Sequence, residues 1–94
     1  MHTFTFLCDW KSPVNMLVGA PFVVTVDADT RMKAEHAAAT AVLAHCPDVA
    51  LYETPSTFFE QTGQILAAFD GPVPATLIDR DVYETIPAPT EATR

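Results

Sequence analysis

The fold is decided by residues 22–47, which read FVVTVDADTRMKAEHAAATAVLAHCP. The first six positions are β-branched or aromatic for the most part, and their apolar residues alternate with a period of two, as in a strand. Asp29 or Thr30 can cap the alanine-rich helix that follows, and Pro47 ends it. These signals predict a strand joined directly to a helix over about residues 30–46.

The predicted helix carries an apolar stripe at three- and four-residue spacing, formed by Met32, Ala39, Val42, Leu43 and Cys46. Residues 3–10 form a second strand pattern, and one face of it carries Phe4, Phe6, Cys8 and Trp10. The simplest structure pairs residues 3–10 with residues 22–27 in an antiparallel hairpin. The apolar stripe of the helix then packs on the aromatic face of that hairpin.

The chain after the helix is harder to interpret. Residues 49–54 alternate like a third strand, and residues 76–78 resemble a short edge strand. Residues 55–69 allow either a helix with a capping box or a hairpin whose arms meet near Gly63. Gly63 would weaken a helix by roughly 1 kcal/mol relative to alanine, so the hairpin is favoured.

Together these patterns predict an α+β fold of order ββαββ, with one main helix packed on one face of an antiparallel sheet. Residues 1–79 form the single domain, and residues 80–94 form an acidic, proline-containing extended tail. Val82, Tyr83 and Ile86 are apolar exceptions in that tail, which dock on the domain or on a partner.

Charge separates the two halves of the chain. The 94 residues contain 12 Asp and Glu against 5 Lys and Arg, for a net charge of -7 and a pI near 4.5. Residues 1–46 are close to neutral, so almost all of the net charge lies in residues 47–94. This balance argues against direct nucleic-acid binding, which needs a basic surface. No apolar run approaches the roughly 20 residues that span a bilayer, so a membrane is not an expected partner either.

The N-terminus has no basic patch followed by an apolar stretch, which predicts a cytoplasmic protein. Cys8 and Cys46 are the only cysteines. In a reducing compartment two thiols are favoured over a disulfide, and both are expected to be buried and inert.

Motifs for catalysis, cofactors and metals are missing from the sequence. There is no GxSxG and no phosphate-cradling glycine loop, and only three glycines are present. His2, His36 and His45 lack the paired spacing of a zinc site. Two acidic pairs, at residues 27 and 29 and at residues 79 and 81, are explained by helix capping and by solvation. We therefore predict no catalytic, cofactor-binding or metal-binding residues, and a non-enzymatic role is favoured.

The best candidates for contact with a protein partner lie in the predicted tail, where Tyr83 stands among carboxylates. Tyrosine is enriched at binding hot spots, and acidic groups steer basic partners. This combination gives the predicted partner-binding set Asp79, Asp81, Tyr83 and Glu84.

The run from Phe22 to Thr30, with the alanine-rich helix through Leu43, resembles small accessory proteins carried by phages of high-GC actinobacteria. The resemblance covers about a quarter of the chain and carries over no functional residue. It implies a small, dispensable, non-enzymatic protein that binds a host or phage protein.

Three functions follow as hypotheses. The first is a protein-binding accessory or inhibitor whose acidic C-terminal half meets a basic surface, such as that of a nucleic-acid-binding protein. The second is a small ligand-binding domain or enzyme, with a pocket between helix and sheet that uses His36 or an aspartate. The third is an assembly protein that oligomerises, because the open sheet face, with Thr3, Thr5, Thr25 and Tyr52 among some apolar residues, suits a homodimer.

Overall fold

The computed structural model describes residues 2–11, 21–72 and 83–86. These residues form a four-stranded sheet with one main helix packed on it, which confirms the predicted α+β class. The predicted strand at residues 76–78 lies outside the described residues. So do most of the predicted tail residues, namely 80–82 and 87–94.

The N-terminal hairpin and helix form as the sequence predicts. Strand β1 (His2–Trp10) pairs antiparallel with strand β2 (Phe22–Ala28). Helix α1 (Arg31–His45) begins at Thr30, whose side-chain oxygen accepts a hydrogen bond from the Lys33 amide at 3.2 Å. That bond satisfies one of the free amides of the first turn.

Four of the six buried residues of α1 are alanines, and the six are Ala34, Ala38, Ala39, Ala41, Val42 and Leu43. Alanines let the helix lie close to β2 and place no long side chain between the two layers. Met32, predicted to be part of the core stripe, instead points away and is 80 % exposed. Cys46 follows the end of α1 and is half-buried, so it lies at the margin of the core.

The predicted strand at residues 49–54 is wrong. Residues Pro47–Ala50 form a short helix, α2, and residues 51–52 continue as a turn. Proline suits the first position of a helix, where no amide is needed, and Asp48 suits the positive end of the helix dipole. Val49 is buried in the core and anchors this segment.

The hairpin favoured for residues 55–69 is wrong in its first arm and correct in its second. Residues Phe58–Gln61 form a helical turn, α3, and residues Gly63–Asp70 form strand β3. Strand β3 pairs antiparallel with the other edge of β1, and a bulge lies opposite Leu7 and Cys8. The bulge adds one residue to β3, which changes the alternation of its side chains.

Three aromatic rings hold the start of β3 against the hairpin. Phe58 lies with its ring centroid 5.7 Å from that of Trp10 and 6.5 Å from that of Phe22, while Trp10 and Phe22 are 5.1 Å apart. All three side chains are buried, and Trp10 is a core residue at the end of a strand, as predicted.

The last described segment adds a strand to the sheet. Residues Glu84–Ile86 form β4, which pairs parallel with β2, so the sheet order is β3-β1-β2-β4. The sheet is therefore mixed, where an antiparallel one was predicted. Ile86 is 3 % exposed, which agrees with docking of this residue on the domain. The boundary at residue 79 stays a prediction.

Candidate protein-binding surface

The predicted partner-binding residues are partly described. Asp79 and Asp81 lie outside the described residues. Tyr83 is half-buried, and Glu84 is exposed at the first position of β4. The amide of Glu84 donates to the carbonyl of Pro21 at 2.9 Å, so its backbone is part of the sheet edge.

The Glu84 side chain lies against the end of α1. One of its carboxylate oxygens, Oε2, is 2.7 Å from Nε2 of His45, the last residue of that helix. A histidine at the C-terminus of a helix is favoured by the helix dipole. Glu84 is thus held at this corner of the molecule by its contact with His45, whereas the sequence predicts it in an extended tail.

A second carboxylate lies close to the same corner. Burial raises the pKa of the Cys46 thiol, and the negative charges of Glu84 and then of Asp48 raise it further. The thiolate is disfavoured there, so Cys46 is poorly suited to act as a nucleophile. Asp48 lies in the first turn of α2, directly after Cys46, and Glu84 contacts the neighbouring His45, so both carboxylates belong to this corner.

Two large apolar side chains project from the turn beside this corner. Leu51 is 76 % exposed and Tyr52 is 83 % exposed. Val49 anchors the turn, because its side chain is buried in the core. Its carbonyl accepts hydrogen bonds from the amides of Tyr52 at 2.9 Å and Glu53 at 3.1 Å. We call Asp48, Leu51, Tyr52 and Glu84 the turn surface.

Glu53, the next carboxylate along the chain, has a structural role. Its two oxygens accept hydrogen bonds from the hydroxyls of Thr57 at 2.7 Å and Thr62 at 2.6 Å. Thr62 is nearly buried, and its hydroxyl needs such a partner. Glu53 therefore fixes the loop between α2 and β3. The carboxylates of the turn surface are those of Asp48 and of Glu84, and Glu84 also contacts His45.

The described cations are engaged elsewhere. Arg31 pairs with Glu35 at 2.9 Å, and Lys33 lies 3.9 Å from Asp29. The ammonium group of Lys11 donates to the carbonyls of Phe59 at 3.3 Å and Glu60 at 2.6 Å. Within the described ranges, no ion pair brings Lys or Arg to the turn surface.

The second hypothesis placed a ligand pocket between the helix and the sheet, and the structure has an open groove elsewhere. Core side chains fill the interface between α1 and the sheet, and His36 lies on the outer side of the helix. An open groove of about 410 Å³ lies between α1 and residues 55–60, lined by Met32, Glu35, His36, Pro55, Ser56, Phe59 and Glu60. Its polar groups include no buried side chain aimed inward.

The cysteines and the remaining titratable groups do not form a chemical centre in the part of the chain that the structure describes. Cys8 is buried and free, and burial raises its pKa to about 12, so it remains a thiol. No group of three or more His, Cys, Asp or Glu in residues 2–11, 21–72 and 83–86 is arranged to hold a metal ion.

The strand predicted for residues 49–54 placed Tyr52 on the open sheet face and gave Leu51 no role, whereas both residues lie in a turn outside the sheet. Their exposure could not be read from the alternation of residues 49–54. Pro47 followed by Asp48 was the signal that could have indicated a helix start there.

Comparison with known protein families, curated protein sequences and solved structures gives no match. Among the described helices, none has the length and apolar character needed to cross a bilayer.

Proposed function

We propose that this protein is a non-enzymatic accessory protein, an inhibitor or modulator, that binds a partner protein through the turn surface. The observation that carries the proposal is the exposure of Leu51 and Tyr52 on a turn that is held in place by buried Val49. Exposed tyrosine and leucine side chains cost solvation free energy, and a partner that covers them recovers it.

The charge of the turn surface indicates the chemistry of the partner. Asp48 and Glu84 stand at its margin, and the protein as a whole carries a net charge of -7. A partner with an apolar pocket and Lys or Arg at the rim of that pocket would be complementary to this arrangement. The proposal therefore keeps the acidic C-terminal half of the chain as the contact region, with Glu84 within it.

Basic surfaces of this kind are common on nucleic-acid-binding proteins, where the carboxylates would take the place of phosphates. In that version, a short DNA or RNA duplex that binds the same partner competes with this protein. Simultaneous binding of the duplex and this protein would remove the phosphate-mimic version and leave the general one.

We also propose that the protein acts in the cytoplasm and is one of the phage-borne accessory proteins that its sequence resembles. The free thiols of Cys8 and Cys46 support a reducing compartment. Genes for phage accessory proteins stand among other phage genes, so the neighbourhood of this gene tests the assignment. A neighbourhood of housekeeping genes would contradict it.

The main experiment is affinity capture from cells of the native host, followed by titration of the captured protein. The double variant Leu51→Ser/Tyr52→Ser should lose the captured partner, or bind it at least about tenfold more weakly, because hot-spot residues typically contribute 2 kcal/mol or more. Met32→Ser is the matched control, because Met32 is similarly exposed on α1 but outside the turn surface.

The charge contribution is tested with the captured partner. Asp48→Asn should slow association and reduce the dependence of the Kd on salt between about 50 and 300 mM, since exposed charges are screened over a Debye length of about 8 to 10 Å. Equal capture by the double variant and the wild type would overturn the proposal. A Kd that changes neither with salt nor on Asp48→Asn would contradict the electrostatic part of the proposal.

A further inference from the structure

The outer edge of β3 is an interaction surface of a different character from the turn surface. Strand β3 is at the end of the sheet order β3-β1-β2-β4. Among the residues that the structure describes, none hydrogen-bonds to its outer edge. Leu66 is 49 % exposed and Phe69 is 36 % exposed along it. An edge strand with free backbone groups and apolar side chains is a template for another strand.

This edge carries almost no charge. Gly63–Phe69 contains no Asp, Glu, Lys or Arg, and Asp70 is the only charged residue of the strand. It also lacks lysine and proline, the residues with which edge strands commonly block pairing. A basic partner would find little to bind here, whereas a neutral strand suits a second neutral strand.

The register with β1 identifies which backbone groups point outward. The Gly71 amide donates to the carbonyl of Thr3 at 2.7 Å. Because residues alternate along an antiparallel ladder, Phe69 and Ala67 also direct their backbone groups to β1. Ala68 and Asp70 alternate with them and therefore direct their amides and carbonyls outward.

We propose that a second copy of this chain pairs antiparallel with β3 through a two-fold axis at Ala68. The bulge confines regular pairing to the C-terminal part of β3, and opposite residues must both direct their backbone groups across the new ladder. With Ala68 opposite Ala68 of the second copy, Phe69 lies opposite the small side chain of Ala67. A large side chain thus meets a small one twice, on the same face of the joined sheet.

The charges of the two copies tolerate this arrangement. Asp70 lies just outside the regular pairs formed by residues 67–69, and the two Asp70 residues are four positions apart along the ladder. At about 3.4 Å per residue this is about 14 Å, which exceeds the Debye length of about 8 Å at physiological salt. The pairing joins two four-stranded sheets into one of eight strands and covers part of Phe69 in both copies.

Sedimentation velocity of the full chain at roughly 100 µM tests the proposal, a concentration that populates complexes of micromolar Kd. The wild type should sediment as a dimer. Ala68→Lys should weaken dimerisation at least about tenfold, because two like charges would face each other at the axis. Ala44→Lys, at an exposed position of α1, adds the same charge elsewhere and should leave the dimer unchanged.

Ala68→Pro is the second variant, because it removes an outward amide that the ladder with β1 does not use. It should also give a monomer, with the circular dichroism spectrum of the wild type. Finally, Ala68→Cys in a Cys46→Ala background should oxidise to a linked dimer, since directly opposite Cα atoms lie about 5.5 Å apart. Ala44→Cys in the same background should not.

A wild type that is monomeric at this concentration would overturn the proposal. So would a dimer that persists in both Ala68→Lys and Ala68→Pro, because it would have to use another surface. Neither result bears on partner binding by the turn surface, which the Leu51→Ser/Tyr52→Ser variant tests. The two proposals can therefore fail independently.

Discussion

Strands β2 and β3 are both antiparallel neighbours of β1, yet their environments differ. Five of the seven residues of β2 are buried, whereas β3 is buried only at its first residue, Gly63. The cause is the connection that follows each strand. Only Asp29 and Thr30 separate β2 from α1, so the helix folds back over β2 and leaves β3 uncovered. The strand that leads directly into α1 is thus the one that the helix covers.

The largest test of this difference compares one phenylalanine from each strand. Phe22→Ala in β2 should lower the free energy of unfolding by about 3 to 5 kcal/mol, because Phe22 is buried among Trp10 and Phe58. Phe69→Ala in β3 should cost less than about 1.5 kcal/mol, as part of the ring is already hydrated. Urea unfolding measures both. Equal losses would mean that β3 is as well packed as β2.

The second test concerns the one buried residue of β3. A Cβ atom at position 63 would overlap the ring of Phe58, which is fully buried. Gly63→Ala should therefore cost about 1 to 3 kcal/mol by overpacking. In a Phe58→Leu background the same substitution should cost less, since the ring is gone. An unchanged cost in that background would assign the effect to the backbone instead.

The third test uses Cys8, which lies on β1 between the two strands. Burial raises the pKa of its thiol from 9.0 to about 12. Because the pKa of Cys8 is higher in the folded than in the unfolded state, its contribution to the free energy of unfolding is fully present below pH 9. That contribution is lost as the pH rises from 9 towards 12. The slope is about 1.4 kcal/mol per pH unit.

Urea unfolding of the wild type and of Cys8→Ala checks this, because the other titrating groups are common to both. Between about pH 9 and pH 10.5 the wild type should lose about 1 to 2 kcal/mol more than the variant. Parallel curves would show that the pKa of Cys8 is not raised in the folded protein.

The smallest expected effect concerns Arg31, the first residue of α1, whose side chain lies over β1. The Arg31 guanidinium lies 5.3 Å from the centroid of the Phe6 ring and pairs with Glu35. Arg31→Gln should cost about 0.5 to 1 kcal/mol in thermal or urea unfolding. Lys33→Gln is the control, since Lys33 is 70 % exposed with a long 3.9 Å pair, and it should cost less. A larger loss for Lys33→Gln would contradict the contribution of the ring contact.

The sequence predicts the first half of the fold because its local signals and its contacts agree. The alternation of residues 3–10 and 22–27 and the cap at Thr30 describe structure that forms between near neighbours. The second half fails where tertiary contacts decide. Residues 49–54 alternate like a strand, but the anchoring of Val49 and the proline start make a helix. Strand β4 is three residues long and depends on β2, so no local pattern predicts it.

The candidate surface is less predictable than the fold. Charge and composition predict Glu84 as a partner-binding residue, but they do not predict its contact with His45, which joins residues 39 positions apart. Leu51 and Tyr52 have apolar side chains that normally indicate burial, and only the turn places them in solvent. Exposure is a property of the assembled molecule, so residue type alone could not identify this pair.

The order of the strands also sets the order in which the molecule can be completed during synthesis. Residues 1–46 contain both partners of the first hairpin and the helix that covers it. Strand β1 lacks its second neighbour until residue 70 has left the ribosome, because Phe4 pairs with Asp70. The nascent chain therefore exposes the edge of β1 that faces away from β2. Strand β3 covers this edge only after it has emerged from the ribosome.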